Sequence, residues 1–426
     1  MEFKVEVAKN GEQTLEINGI NIYSTYNPSK DAERFILNEI NLDEKGYLLI
    51  GLGLGYHLEA ILKVSPNKKI FLLILDNMEL EIFKNFSLNP NILESENVVI
   101  FDSKSKDFFE IDYQIIIPNV WLKAINTKHP LFHFLEDIKI RQMSFNSSSG
   151  LLENNFIQNI RNDNFYLDAL KNKFTDKSSC LVASGPSLNE TIEMLRLTKN
   201  KFFILCVGSS LKVLIENEII PDAIIITDPL PNVVRQIDKM GFSGLLFYLS
   251  TANHEMSLLH DGIKIILFQE GYKLVTDILA NTNGAMLETG GSVATTGISL
   301  IEFLGFKNLY LFGQDLGFRG ERTHTTHSTS GINVASNVNF RKVLSNNGGF
   351  INTTSNLSTY HRWIEKKSNV SNLKIYNTAR HGAKIKNVPF LEPSILEKRL
   401  ENLPETYFDY IIENTLTNSK DDFDGN

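Results

Sequence analysis

The chain has 426 residues, 42% apolar and 22% charged, with a formal net charge of −8. That is enough chain for two or three domains around a sizeable core. The negative balance argues against a dedicated nucleic-acid binder, which carries a basic excess or stripe.

No apolar run approaches the roughly 20 residues that cross a bilayer, and residues 1–11 are charged and alternating, unlike a signal peptide. The two cysteines, Cys180 and Cys206, lie in apolar strand-like runs, and no closely spaced Cys/His metal motif occurs. They are expected to be buried small hydrophobes in a cytoplasmic protein.

Residues 1–26 alternate apolar and polar and turn at Asn18-Gly19, which predicts a small hairpin. Residues 31–40 follow as a helix. Strand Leu48-Leu49-Ile50 runs into Gly51-Leu52-Gly53-Leu54-Gly55, then a helix over 57–64 and a strand over 70–75 ending in Asp76. Glycine turn, helix, strand and terminal acid make a βαβ unit of Rossmann type, in which Asp76 could hold a ribose. The turn is G-x-G-x-G rather than G-x-G-x-x-G, and no catalytic set follows it. Further strands are expected at 98–102 and 113–117. The stretch 120–173 is polar and helix-rich, broken at 146–150, with helical apolar spacing over 154–170.

From residue 177 strands and helices alternate. Strands are expected at 180–183, 202–207, 223–227, 245–249, 263–268, 308–312 and 374–376, most ending in polar residues. The expected fold class is therefore α/β. It has an N-terminal Rossmann-like domain over 1–125, a helical linker over 126–176, a doubly wound central domain over 177–390 and a short helical C-terminal tail over 391–426. Ligands of such sheets bind in the crevice at the carboxyl ends of the strands.

The chemistry-bearing residues gather at those ends. Ser184-Gly185-Pro186-Ser187-Leu188 joins a buried strand to a helix. Gly185 permits close backbone approach, Ser187 with Glu190 has the spacing of a capping box, and the amides of Gly185 and Ser187 could meet an anion. Ser209 and Ser210 follow the next strand, able either to cap a helix or to bond a sugar or base. Asp228, held extended by Pro229, could bind a ribose, an amine or a divalent metal, or could cap the following turn. Gly290-Gly291-Ser292-Val293-Ala294-Thr295-Thr296-Gly297 opens another helix with small residues that suit either ligand approach or tight packing. Gly313-Gln314-Asp315 leads into a loop carrying Arg319, Arg322, His324 and His327, with Asp315 and the histidines as acid/base candidates. The turn 377–383, containing Arg380 and His381, could return to the same crevice.

The order of these motifs, from Ser184-Gly185-Pro186-Ser187-Leu188 through Pro221-Asp222 and Asp228, Gly290-Gly291-Ser292-Val293-Ala294, Gly313-Gln314-Asp315 and Thr323-His324, resembles the motility accessory factor family. The resemblance covers about 177–382, and the Rossmann-like domain before it suits that family. The central domain also resembles the archaeal hydroxymethyl-pterin diphosphokinase and is similar to a bacterial sialyltransferase fold. It implies a cytoplasmic glycosyltransferase moving a nonulosonic acid, pseudaminic or legionaminic, from a CMP-activated donor to Ser/Thr of flagellin.

By the same resemblance Gly185, Pro186 and Ser187, with Ser292, Thr296 and Gly297, would hold the CMP moiety. From their own positions at strand ends and helix starts, Ser209, Ser210, Gly290, Gly291 and Gln314 are added to the nucleotide site. Asp228 falls where the sialyltransferase has an asparagine, which leaves a metal role open there. The acceptor proton would go to His324 or His327, with Asp315 and Asp228 positioning the donor. The alternatives are an ATP- and magnesium-dependent diphosphokinase of a small heterocycle and a non-catalytic flagellin-binding factor. Neither nucleic acid nor membrane is expected as a partner.

Overall fold

The computed structural model describes all residues except 103–112, 147–148, 163, 280–283, 319–323, 330–339, 402 and 425–426. The chain forms two compact units, Met1–Met143 and Ser144–Asn426.

The first unit opens with the antiparallel strands β1 (Phe3–Val7), β2 (Gln13–Ile17) and β3 (Ile20–Asn21). The β2–β3 turn has Asn18 at φ 49° and Gly19 at φ 80°, the left-handed pair that suits a two-residue hairpin. Helix α1 (Pro28–Glu39) follows, capped by Asn27, whose side chain accepts from the Lys30 amide. A parallel sheet comes next, built from β4 (Gly46–Ile50), β5 (Lys69–Ile74), β6 (Val98–Asp102) and β7 (Gln114–Ile116) in the order β6-β5-β4-β7. Strands β4 and β5 are joined by α2 (Tyr56–Val64), and α3 (Met78–Phe86), α4 (Asn119–Ile125) and α5 (Phe132–Asn146) complete the series. Tyr47, Leu48, Leu49 and Ile50 are all buried, as a central strand covered on both faces requires.

The second unit begins with α6 (Ser149–Asn159) and β8 (Phe165–Tyr166). The helix expected over 154–170 thus ends at Asn159. Phe165 and Tyr166 instead pair with the sheet, at Ile265 and Ile266, because aromatic side chains gain more on a pleated surface than in a short polar helix.

Then come β9 (Ser178–Val182), α7 (Leu188–Arg196), β10 (Phe203–Val207), α8 (Gly208–Glu216), β11 (Ala223–Ile226), β12 (Leu245–Leu249), α9 (His254–Leu259) and β13 (Lys264–Gln269). The chain continues through α10 (Lys273–Leu279), β14 (Met286–Leu287), α11 (Val293–Phe303) and β15 (Asn308–Phe312). A hairpin of β16 (Arg341–Leu344) and β17 (Phe350–Thr353) leads to α12 (Ser355–Val370), β18 (Lys374–Asn377), α13 (Pro393–Leu400) and α14 (Phe408–Asp424).

The main sheet runs β14-β13-β12-β11-β10-β9-β15-β18, with β8 added at β13, and its pairings are parallel. From β9 to β14 the chain adds strands in one direction, and β15 then returns to the other side of β9. Right-handed crossovers in both directions put helices on both faces, so the domain is doubly wound with its switch point between β9 and β15. Leu181, Leu205, Ile225 and Phe247 are almost wholly buried, each contributing about 1.5–3 kcal/mol by leaving water. Cys180 and Cys206 are buried free thiols in this core, and burial raises both pKa values well above the ordinary range. Among the described residues no helix is long and apolar enough to cross a membrane.

Candidate functional site

The switch point brings two sequence motifs together. Ser184–Ser187 leaves β9 beside Gly313–Asp315 leaving β15, and the two segments are sewn to each other. Gly185 N donates to Gly313 O at 2.8 Å. The Asp315 carboxylate accepts from Ser187 N at 3.1 Å and from Ser187 Oγ at 2.8 Å.

Only glycine fits at this seam. A Cβ on Gly185 would stand 2.2 Å from Asp315 Oδ2, and one on Gly313, at φ +63°, would stand 2.1 Å from Ala183 O. Asp315 is 7% exposed, and its burial pushes the carboxyl up to about 6 against the downward pull of the Ser187 donors.

Two expectations are corrected here. The amides of Gly185 and Ser187 are consumed by the chain itself, so the turn presents them to Gly313 and Asp315 and not to an external anion. The Ser187–Glu190 capping box does not form, because Ser187 already has helical dihedrals (φ −68°, ψ −14°), whereas a cap needs an extended residue whose side chain folds back.

At the β10 end the two serines part company. Ser210 Oγ is wholly buried and donates to Val182 O and Val207 O, at 2.9 and 2.8 Å. Ser209 Oγ shares a bond of 2.8 Å with Ser184 Oγ, linking the β9 and β10 ends. Neither caps α8, which starts earlier than expected, at Gly208, and has no side-chain cap.

The loop bearing the histidines is anchored over these two strand ends. Thr325 N donates to Ser184 O at 2.8 Å, and Thr329 N reaches Ser209 O at 3.4 Å. The Thr325 hydroxyl bonds Asn189. His324 is therefore held, half-buried, beside the β9 turn. His327 turns outward: it is mostly exposed, sits at φ 70° and pairs with Glu216 of α8 at 3.0 Å, away from the strand-end set. Arg319, Arg322 and Thr323 lie outside the described residues.

Asp228, after β11, is half-buried. Its carboxylate accepts from Leu230 N at 2.9 Å, and its carbonyl accepts from Asn253 N at 3.0 Å. It thus joins the β11 end to the β12 end. Among the described residues no group of three or more His, Cys, Asp or Glu is gathered to hold a metal, so the donors at Asp228 do not make a protein cage for one.

Helix α11 starts at the crevice with a reciprocal cap. Ser292 Oγ accepts from Thr295 N at 3.2 Å and Thr295 Oγ1 accepts from Ser292 N at 3.0 Å. Thr296 is buried and bonds back to Ser292 O. The Val293 and Ala294 amides precede these at a helix start, where backbone donors are left over. Gly290 is pressed against Trp363 of α12 and Gly297 against Leu181 of β9, so the small residues here serve packing. Gln314 is buried beside Asp315. In the turn 377–383, Ala383 N donates to Asp315 O at 2.7 Å. Arg380 faces Glu392 and His381 faces Asn347.

Sequence reasoning missed Asn155 and Asn159 of α6. Both are fully buried. Asn159 Nδ2 donates to Ser250 O and Ala252 O, at 3.0 and 2.7 Å. Asn155 Nδ2 donates to Pro229 O and Thr251 O, at 3.1 and 3.3 Å. Two asparagines one helical turn apart, beside Phe156, were the available signal: amides on an apolar face must find partners.

In the first unit, the Gly51–Gly55 turn is filled from within. The buried Glu79 carboxylate accepts from Leu52 N, Gly53 N, Leu75 N and Asp76 N, at 2.6, 3.2, 2.8 and 3.1 Å. Tyr23 Oη accepts from Leu54 N at 3.0 Å, and Trp121 lies against Gly51. Asp76 accepts from Met78 N and from the Met1 amino group.

Residues 154–321 match the family described as 6-hydroxymethylpterin diphosphokinase MptE-like. A protein of Treponema pallidum (strain Nichols) described as uncharacterized is 23% identical over 229 residues, spanning 47% of this chain and 75% of its own. The chain shares its fold with the MAf glycosyltransferase from Magnetospirillum magneticum AMB-1. The TM-score is 0.53 at 16% identity, over 98% of this chain and 73% of that one. This likeness across nearly the whole chain is consistent with the α/β fold class expected from the alternation of strands and helices.

Proposed function

We propose that the second unit is a glycosyltransferase acting on a nucleotide-activated sugar, and that the donor lies across the carboxyl ends of β9 to β12. The observation that carries this reading is the switch-point seam. A buried carboxylate, Asp315, fixes the glycine turn there, while an open helix start and the β11 acid Asp228 face the same strand ends. The shared fold with a glycosyltransferase and the motif order of the sequence support it. The resemblance in sequence supports the finer choice, a CMP-activated nonulosonic acid passed to Ser/Thr hydroxyls of flagellin in the cytoplasm.

In this reading the Val293 and Ala294 amides stabilise charge on the departing phosphate. Asp228 orients the sugar. The bond from the anomeric carbon to the phosphate oxygen breaks, and its electron pair leaves with the nucleoside monophosphate. The acceptor oxygen bonds the anomeric carbon from the opposite face and loses its proton to an imidazole.

Calorimetric titration with CMP tests the reading. Saturable binding of CMP is expected, and binding of the intact CMP-sugar donor should be weakened about tenfold or more by Asp228→Ala, since a lost hydrogen bond to a charged group is worth about 1.5–3 kcal/mol. Absence of any CMP response in the wild type would sink it. The family match at residues 154–321 favours a second reading, diphosphate transfer from ATP to a pterin alcohol. Formation of AMP from ATP, magnesium and hydroxymethylpterin would select that one.

A further inference from the structure

The end of β12 carries a histidine that the reaction above leaves unused. His254 is the first residue of α9 and is half-buried. Its ring Nδ1 lies 2.9 Å from Asn155 Oδ1. The Asn155 amide cannot be turned around, because its Nδ2 already serves two carbonyls, those of Pro229 and Thr251, at 3.1 and 3.3 Å. Its oxygen must therefore face His254, and an oxygen there can only accept. Nδ1 then carries a proton, and in the neutral tautomer Nε2 is the nitrogen with the free lone pair. With Nδ1 bonded inward to a fully buried asparagine, Nε2 lies on the outer edge of the ring. Among the described residues no group bonds Nε2.

The surroundings make this a built polar site. The Asn253 amide donates to Asp228 O at 3.0 Å, which ties His254's neighbour to the donor-orienting acid. Pro229, which follows that acid, is gripped by the same Asn155. The Ser250 hydroxyl, wholly buried at this strand end, has no partner among the described residues.

We infer that His254 is the base that takes the acceptor hydroxyl's proton, with Asn155 as its positioning residue. This rests on the glycosyl-transfer reading. The acceptor O–H gives its proton to Nε2 while its oxygen forms the bond to the anomeric carbon, and the phosphate departs with the electrons of the broken bond. His324, beside β9, takes no part in this step, and His327 stays with Glu216.

Two measurements on the full chain separate the inference from the reading. Nitrogen-15 spectra of the His254 ring at neutral pH are expected to show Nδ1 protonated and Nε2 pyridine-like in the wild type, with the Nδ1 preference lost in Asn155→Leu. A pyridine-like Nδ1 in the wild type overturns the dyad whatever reaction the protein performs. In transfer assays with a CMP-activated nonulosonic acid, His254→Ala is expected to lower kcat about 10²–10³-fold. The KM for donor should stay within about threefold, with partial rescue by added imidazole. Full transfer by His254→Ala and His254→Gln overturns the inference and leaves the reading standing. No transfer by the wild type removes the reading, and the base assignment falls with it.

Discussion

At the scale of single residues, Asp315 decides what the switch point can be. Its carboxyl belongs at 3.8 in the unfolded chain and is raised to about 6 in the fold. The sign follows from proton counting. Between those values the folded chain holds a proton that the unfolded chain releases, so the contribution to stability is full below about 4 and is lost as pH rises through about 6. Asparagine at this position keeps an acceptor for both Ser187 bonds and removes the ionisation. Asp315→Asn is therefore expected to stabilise the protein at pH 7.5 by about 1–2 kcal/mol in urea unfolding, a discounted conversion of the shift. The gain should vanish near pH 4. An equal gain at both pH values would mean that the carboxyl is not what titrates.

At the scale of elements, both glycine turns were legible in the sequence, and their occupants were not. Gly51–Gly55 and Ser184–Ser187 have the strand, turn and helix pattern of anion cradles, and the structure places each turn where the pattern put it. Each turn, however, meets a carboxylate of its own chain. Glu79 lies 26 residues beyond Gly53, and Asp315 lies 128 beyond Ser187. Local periodicity carries no information at those separations, because register between distant strands is set by packing.

The same limit explains Ser187. Its spacing to Glu190 fits a cap, and a tertiary carboxylate outcompetes that local bond. Asn155 and Asn159 were hidden in a segment whose apolar spacing pointed to a longer helix. The seam predicts its own fragility: Gly185→Ala would bring a Cβ within 2.3 Å of Gly313 O. Relief requires backbone movement, because the neighbour is itself backbone. A cost of about 1–3 kcal/mol in urea unfolding is expected, with weakened CMP binding. A variant as stable as the wild type would show that the β9–β15 junction is looser than its hydrogen bonds imply.

For the molecule as a whole, alternation of apolar strands with helices was enough to announce two α/β sheets, because parallel strands buried on both faces leave unbroken apolar runs. The two sheets then use one device differently. In the second unit the internal carboxylate closes the glycine turn, and the proposed function gives the ligand a second helix start and two strand ends. In the first, Glu79 takes up four amides at once, Tyr23 takes a fifth, and burial raises Glu79 to about 7 against those donors. That turn is a structural clasp, and Glu79→Gln tests it. A glutamine offers one acceptor and one donor group, so two of the four amides would face an N–H₂. Two unsatisfied buried donors cost about 1–3 kcal/mol each, so a loss of about 2–6 kcal/mol is expected. The two tryptophans make the location readable, since Trp121 lies in the first unit and Trp363 in the second. In a Trp363→Phe background the Trp121 emission should report an earlier urea transition for Glu79→Gln. CMP affinity, which the proposed function assigns to the second unit, should not change. An unshifted Trp121 transition would mean that the turn holds itself by Tyr23 and Trp121 alone, and that Glu79 occupies the cradle without supporting it.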